Sequence, residues 1–214
     1  METSKTYDRE YFDHWYRRVG INRGAALARK VAMAVATAEY HLARPLRSVL
    51  DVGCGEGVWR APLLALRPRA AYVGLDSSEY VVRRFGRRRN LHPARFADLE
   101  HIRFDRGFDL VVCADVLHYL GDAEIRRGLP GLAVLCHGVA YLETWCAEDE
   151  VSGDMEGFRR RPAAWYRRQF ARAGFVPCGS HLWLGPALAG DAGALEVHAP
   201  VRRPAPIPPE DVLP

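Results

Sequence analysis

Apolar residues fall along this chain in two rhythms. Short, nearly continuous runs at 49–52, 71–76, 94–97, 108–115 and 138–145 stop at an acid, a glycine or a polar cluster, as buried parallel strands do. Between them, 58–66, 79–89, 123–134 and 163–173 carry apolar positions every three or four residues and read as amphipathic helices. Pro62 sits early enough in the first of these helices to be tolerated. Asp122 is placed to cap the third, and Pro130-Gly131 should bend or split it. Two last runs, 176–184 and 194–201, flank a turn-rich link and predict a terminal hairpin. Strand alternating with helix in this way predicts an α/β chain whose seven-stranded, mostly parallel sheet is covered on both faces and ends in antiparallel strands.

The front of the chain has a different texture. Residues 6–40 read as helical, with Tyr7, Tyr11, Trp15 and Val19 recurring at four-residue spacing and an alanine-rich stretch at 23–41 closed by Ala43-Arg44-Pro45. An aromatic stripe at that period either packs a helix onto the domain or covers a ligand. The expected organisation is therefore an N-terminal helical segment at 1–45, the sheet domain at 46–201, and a proline-rich, extended tail at 202–214.

One stretch carries chemistry. The run 48–52 ends in Asp51, and Gly53, Gly55 and Gly57 follow at alternate positions around Cys54. Glycines there let the backbone take positive φ and let a ligand approach without a Cβ in the way, while a helix opening just beyond presents free N–H groups. The spacing is not G-x-G-x-x-G, and no G-K-[ST] follows, so neither a dinucleotide fingerprint nor a P-loop fits. A second apolar run ends in Asp76, an acid about 20 residues beyond the glycines and suited to accept hydrogen bonds from ribose hydroxyls. As a reading of residues alone, Asp76 is equally a turn acid ahead of Ser77-Ser78.

The form D-x-G-C-G-x-G resembles motif I of the class I S-adenosylmethionine-dependent methyltransferases, and the likeness extends in order from Arg47 to Phe175. It implies a Rossmann-like sheet, the front helices as a lid, and S-adenosylmethionine as cofactor with S-adenosylhomocysteine as product. In the likeness Asp51, Gly53, Cys54, Gly55, Gly57, Asp76 and Ser77 hold the cofactor, Asp98 and Leu99 meet its adenine, and Ala114 and Tyr119 line the pocket beside it. Tyr11 and Arg23 become lid contacts to the cofactor; Tyr7, Trp15, Tyr119, Glu143 and Trp145 become substrate contacts. Asp149, Asp154 and Arg161 join the rim positions where specificity would lie. His118, in the run Ala114–Tyr119, either packs beneath the cofactor or takes a proton from the acceptor as the catalytic base.

Composition narrows the acceptor only a little. The net charge of +4 is mild and almost wholly arginine, so the runs at 87–89 and 159–161 read as solvated helix faces that could also meet an acidic partner. The N-P-P-aromatic pattern of base-methylating relatives is absent, the position reading A-D-V-L-H-Y, which makes a nucleic-acid acceptor unlike this chain. No H-E-x-x-H or C-x-x-C spacing suggests a metal, and no Tyr-x-x-x-Lys suggests a nicotinamide oxidoreductase. No apolar run approaches the ~20 residues of a membrane span, and five dispersed cysteines without a signal-like start point to the cytoplasm. The expected function is methyl transfer to oxygen or nitrogen of a small molecule, natural products included. A protein or tRNA acceptor, or a cofactor-binding module without turnover, are the alternatives.

Overall fold

Alternate residues of the central strands point into two separate cores, and this sandwiching of the sheet organises the molecule. The computed structural model describes residues 5–197. Its strands are β1 (Ser48–Val52), β2 (Ala71–Asp76), β3 (Leu91–Pro93), β4 (Phe108–Ala114), β5 (Cys136–Glu143), β6 (Val176–Gly179) and β7 (Leu182–Leu184), in the order β3-β2-β1-β4-β5-β7-β6. All neighbours are parallel except β7, which runs antiparallel between β5 and β6. The order reverses between β1 and β4, so the carboxyl ends of those two strands open a crevice.

Val49, Leu110, Val112, Val139 and Tyr141 face one core, and Leu50, Val111, Cys113, Ala140 and Leu142 the other. On the first side lies α2 (Gly24–Leu42), whose stripe Leu27, Val31, Ala34, Val35 and Ala38 is buried, as a 3.6-residue period requires. Burying each large aliphatic side chain of these cores contributes ~1.5–3 kcal/mol, which fixes strand register because a one-residue slip would exchange the two sets. At the far end of α2, Arg44 forms a two-pronged ion pair with Asp109 at 2.7 and 2.8 Å, tying the helix to the start of β4. On the second side lie α5 (Asp122–Leu135) and α6 (Ala163–Arg172). The short α3 (Arg60–Leu66) and α4 (Glu79–Arg89) complete the crossovers.

Several expected boundaries move. The front is not one helix: a turn of α1 (Arg9–Phe12) passes into a π-helical segment (Asp13–Val19), the chain breaks at 20–23, and α2 follows. Only the part ahead of the break overlies the sheet edge; α2 belongs to the core. The strand expected at 94–97 is displaced to Leu91–Pro93, and Phe96–Glu100 forms a 3-10 turn instead. That turn is pressed against α5 so closely that a Cβ on Gly131 would lie 1.9 Å from the Leu99 carbonyl oxygen. Helix α5 starts after Gly121, making Asp122 its first residue rather than its cap, and continues unsplit through Pro130. Strand five spans Cys136–Glu143, two residues earlier than expected. The run 176–184 is itself the hairpin, because Ser180 and His181 both take positive φ (50° and 65°), the conformation of a two-residue turn between antiparallel strands. Residues 194–197 are turn and bend rather than strand, and the tail expected at 202–214 lies outside the described residues.

Candidate functional site

The crevice holds a cavity of about 400 Å³, within the range of small-molecule sites. Gly53 and Gly55 form its floor, with φ of +67° and +51° that side chains rarely adopt. Asp76 and Ser77, at the tip of β2, bound it on one side. Ala114, Asp115, Val116, His118 and Tyr119 come from β4 and the turn after it; Glu143 and Trp145 come from the end of β5. Tyr7, Tyr11, Phe12, Trp15 and Tyr16 close it from the front segment, and residues 151–154 from the loop after β5.

The glycine turn is held from beneath. The Gly55 N–H donates to one oxygen of Asp76 at 2.7 Å, and the Ser78 N–H to the other at 2.8 Å. Each oxygen retains a lone pair, so Asp76 can still accept hydrogen bonds in the cavity. Burial pushes its carboxyl pKa up, while these two N–H groups pull it down. Asp51 has a different job. Its carboxylate accepts from the Tyr72 hydroxyl at 2.6 Å on the α2 side of the sheet, away from the cavity. Burial raises its pKa to about 7, against the Tyr72 hydrogen bond and with help from Asp76.

At the tip of β4, Asp115 takes φ +58°, a strained conformation for a residue with a Cβ. Its Oδ2 accepts from the Asn22 amide at 3.3 Å, while its Oδ1 is buried without a hydrogen-bond partner, alone in this among side-chain polar atoms of the described residues. Burial and the nearby Glu143 raise its pKa. Glu143 is paired with Lys30 of α2 at 2.6 Å. Asp115 lines the cavity, and a buried carboxylate oxygen left without a donor calls for one.

His118 is buried between Tyr119 and Phe158, with ring centroids 4.2 and 5.1 Å away. Its Nδ1 lies 3.2 Å from the Thr144 hydroxyl and 3.4 Å from the Trp145 N–H, which can only donate. That contact puts the ring proton on Nε2. Burial lowers its pKa to about 4, so the ring is neutral at pH 7.

The front segment is strapped across the site by contacts at separate points. The Tyr7 carbonyl accepts from the Ser78 hydroxyl, Arg17 pairs with Glu56 at 2.9 Å, Asn22 reaches Asp115, and Lys5 pairs with Asp154. Tyr16 rests on the glycine floor: a Cβ on Gly55 would lie 2.3 Å from its hydroxyl. Tyr16 and Phe12 were not marked by the four-residue stripe. Phe12 is buried at the end of α1, and the π-helical winding beyond it brings Tyr16 to the cavity with Trp15 and leaves Val19 half exposed, which a strict period of four does not foresee.

Other sequence-marked residues are not brought to the cavity. Asp98 is exposed and closes its own turn by accepting from the Arg95 N–H at 2.8 Å, because Phe96 and Leu99 of that turn are drawn into the core under α5. Leu99 is therefore core, and Cys54 is buried against β2. Arg23 and Gly57 line a separate groove. Asp149 staples its loop through the Cys146 N–H. Arg161 is not a surface arginine: it is buried, donating to Asp122 at 2.8 Å, to the Leu117 and Leu120 carbonyls and to the Tyr166 hydroxyl. Among the described residues no His, Cys, Asp and Glu gather as a metal site, and no helix is long and apolar enough to cross a membrane.

Residues 50–137 match the family model described as a methyltransferase domain. A malonyl-[acyl-carrier protein] O-methyltransferase of Legionella pneumophila is 38% identical over 78 residues, which is 34% of this chain and 27% of that enzyme's length. Among solved structures, the sugar N-methyltransferase KedS8 from Streptoalloteichus aligns with a TM-score of 0.61 at 22% identity, covering 81% of this chain and 91% of that one. The SAM-bound amino pentose methyltransferase CalS10 from Micromonospora echinaspora aligns with a TM-score of 0.60 at 18% identity, covering 85% and 98%.

Proposed function

We propose that this chain, whose residues 50–137 match a methyltransferase-domain model, is a class I S-adenosylmethionine-dependent methyltransferase that methylates an oxygen or nitrogen of a small-molecule acceptor. The observation that carries the proposal is the joint placement of Asp76 and the Gly53 and Gly55 floor on one cavity. These residues fit the cofactor. The glycine floor brings backbone to the cavity in positive-φ conformations, with Val116 over Gly53 and Tyr16 over Gly55 too close to admit a Cβ, and Asp76 is anchored through both oxygens while keeping acceptor capacity for ribose hydroxyls. S-adenosylmethionine, when bound, supplies an electrophilic methyl group on a sulfonium.

The protein's part is to hold and to orient. The aromatic strap lines one side of the cavity, and orientation of the acceptor inside it accounts for much of the acceleration. Asp115, with its unpartnered oxygen and raised proton affinity, is the group placed to take a hydrogen bond and then a proton from the acceptor. His118 acts as a neutral ring that packs the wall, since its Nδ1 is turned to the backbone at 144–145 and its low pKa makes it a weak base. A small-molecule acceptor is favoured because the strap covers part of a cavity whose volume, about 400 Å³, is in the range of small-molecule sites. Two of the solved structures that align over most of their length are a sugar N-methyltransferase and an amino pentose methyltransferase, which supports the same reading.

Titration calorimetry with S-adenosylmethionine, S-adenosylhomocysteine, NAD and ATP tests this. We expect the first two alone to bind, and Asp76→Ala to weaken them at least tenfold. Binding of NAD in their place, or an unchanged affinity in Asp76→Ala, would overturn it.

A further inference from the structure

The Lys5 ammonium is buried inside the cavity wall, where it meets three tyrosine rings. Its Nζ stands 4.1 Å from the Tyr119 ring centroid, 5.2 Å from that of Tyr11 and 5.4 Å from that of Tyr7. All three distances lie within the reach of a cation–π contact. Asp154 supplies the one carboxylate, and the Glu156 carbonyl accepts a further hydrogen bond at 3.1 Å. The Lys5 and Asp154 side chains are only 9% and 11% exposed. Burial, followed by the Asp154 charge, raises the pKa of each tyrosine, so the rings stay neutral and the enclosure carries a single negative charge.

Such an enclosure demands a cation. Without one, Asp154 would be left ionised among aromatic faces, an arrangement far costlier than the pair itself. The cage is assembled from three separate parts of the chain: Tyr7 and Tyr11 from the strap, Tyr119 from the turn after β4, and Asp154 from the loop after β5. All four residues also line the cavity that Asp76 shares. The cation now filling the cage sits on a flexible four-carbon stem, so a soluble alkylammonium can replace it charge for charge without rebuilding the walls.

We propose that this cage is the acceptor's recognition subsite, that the acceptor is an amine carrying a protonated nitrogen, and that Lys5 stands in for that nitrogen until the acceptor displaces it. The proposal rests on the functional reading above and names its substrate class. Lys5 is then a tethered competitor, at an effective concentration of order mM as for other short links. If it fills the cage nine-tenths of the time, it lowers apparent amine affinity about tenfold.

The probe is n-butylamine, titrated calorimetrically at saturating S-adenosylhomocysteine, with 1-butanol as its neutral counterpart. Lys5→Ala should bind n-butylamine about tenfold more tightly than the wild type, 1-butanol should bind neither, and Asp154→Asn should lose the amine. Equal binding of amine and alcohol, or no gain in Lys5→Ala, would overturn the proposal. S-adenosylhomocysteine binding is measured on each sample. Its failure in the wild type refutes the cofactor reading, whereas its success without amine binding refutes the cage alone. Should Lys5→Ala fail to hold S-adenosylhomocysteine, Lys5→Met, which keeps the stem among the rings, makes the same comparison.

Discussion

Asp51→Asn should make the protein more stable, and increasingly so as pH rises. Asp51 is 2% exposed, and its pKa lies at about 7 in the folded chain. In the unfolded chain it returns to ~3.9. The direction is opposite to that of a salt-bridged acid. Between these two values the folded state keeps a proton that the unfolded state has released, so stability falls as pH climbs from about 4 to about 7. At ~1.4 kcal/mol per unit, the full interval of about three units costs the wild type roughly 4 kcal/mol above pH 7. Asparagine resembles the protonated acid, and its carbonyl oxygen can accept the Tyr72 hydrogen bond, so the variant escapes the loss. The assay is urea unfolding of both proteins from about pH 5 to about pH 6.5. Over that interval the variant should gain about 2 kcal/mol on the wild type. Stability curves that run parallel across this range would refute the reasoning, and with it the reading of Asp51 as a buried acid that keeps its proton beside Tyr72.

Gly55→Ala meets two obstacles at once, a φ of +51° and the Tyr16 hydroxyl 2.3 Å from the new methyl. The backbone cost is ~1–2 kcal/mol. The strap must also lift from the floor, so S-adenosylmethionine affinity should drop at least tenfold while the domain still unfolds cooperatively; an unchanged Kd by calorimetry would contradict the floor. Arg161→Ala strips four hydrogen-bonded partners of a buried guanidinium and should cost about 3 kcal/mol in urea unfolding. A loss below about 1 kcal/mol would mean that water replaces the side chain, as it does for surface pairs.

Strands β1, β2, β4 and β5 were readable to within two residues because buried parallel strands leave continuous apolar runs, and helix 79–89 was readable to the residue because Ser78 caps it and the left-handed Asn90 ends it. What escaped was set by neighbours distant in sequence. Asp98 looks like a ligand acid at its place after the third strand, but close packing of Gly131 on Leu99 rolls that turn and sends the carboxylate outward. Arg161 reads as one of three surface arginines, and only the fold shows that the carbonyls of the turn after β4 converge on it. Lys5 gives no signal at all, since its partners Tyr119 and Asp154 lie more than a hundred residues away. Tyr16 was hidden by winding: the change from α to π geometry alters which side chains share a face.

Across residues 20–24, where the chain enters α2, Gly20, Asn22 and Gly24 all take positive φ. Behind this joint, Lys30 and Arg44 rivet α2 to opposite ends of the sheet; ahead of it, the chain contributes roof residues and little of the core. Heritable change therefore has two nearly independent registers here. Substitutions at positions 5–19 that spare the buried Phe12 can remodel what the cavity admits while the folding machinery stays as it is, and substitutions in the sheet's two cores, away from the strand tips that line the cavity, can tune stability without rewriting the guest list. The front of the chain is an exchangeable cassette, and the shortest route to a descendant with a different acceptor is to splice a new one at the joint.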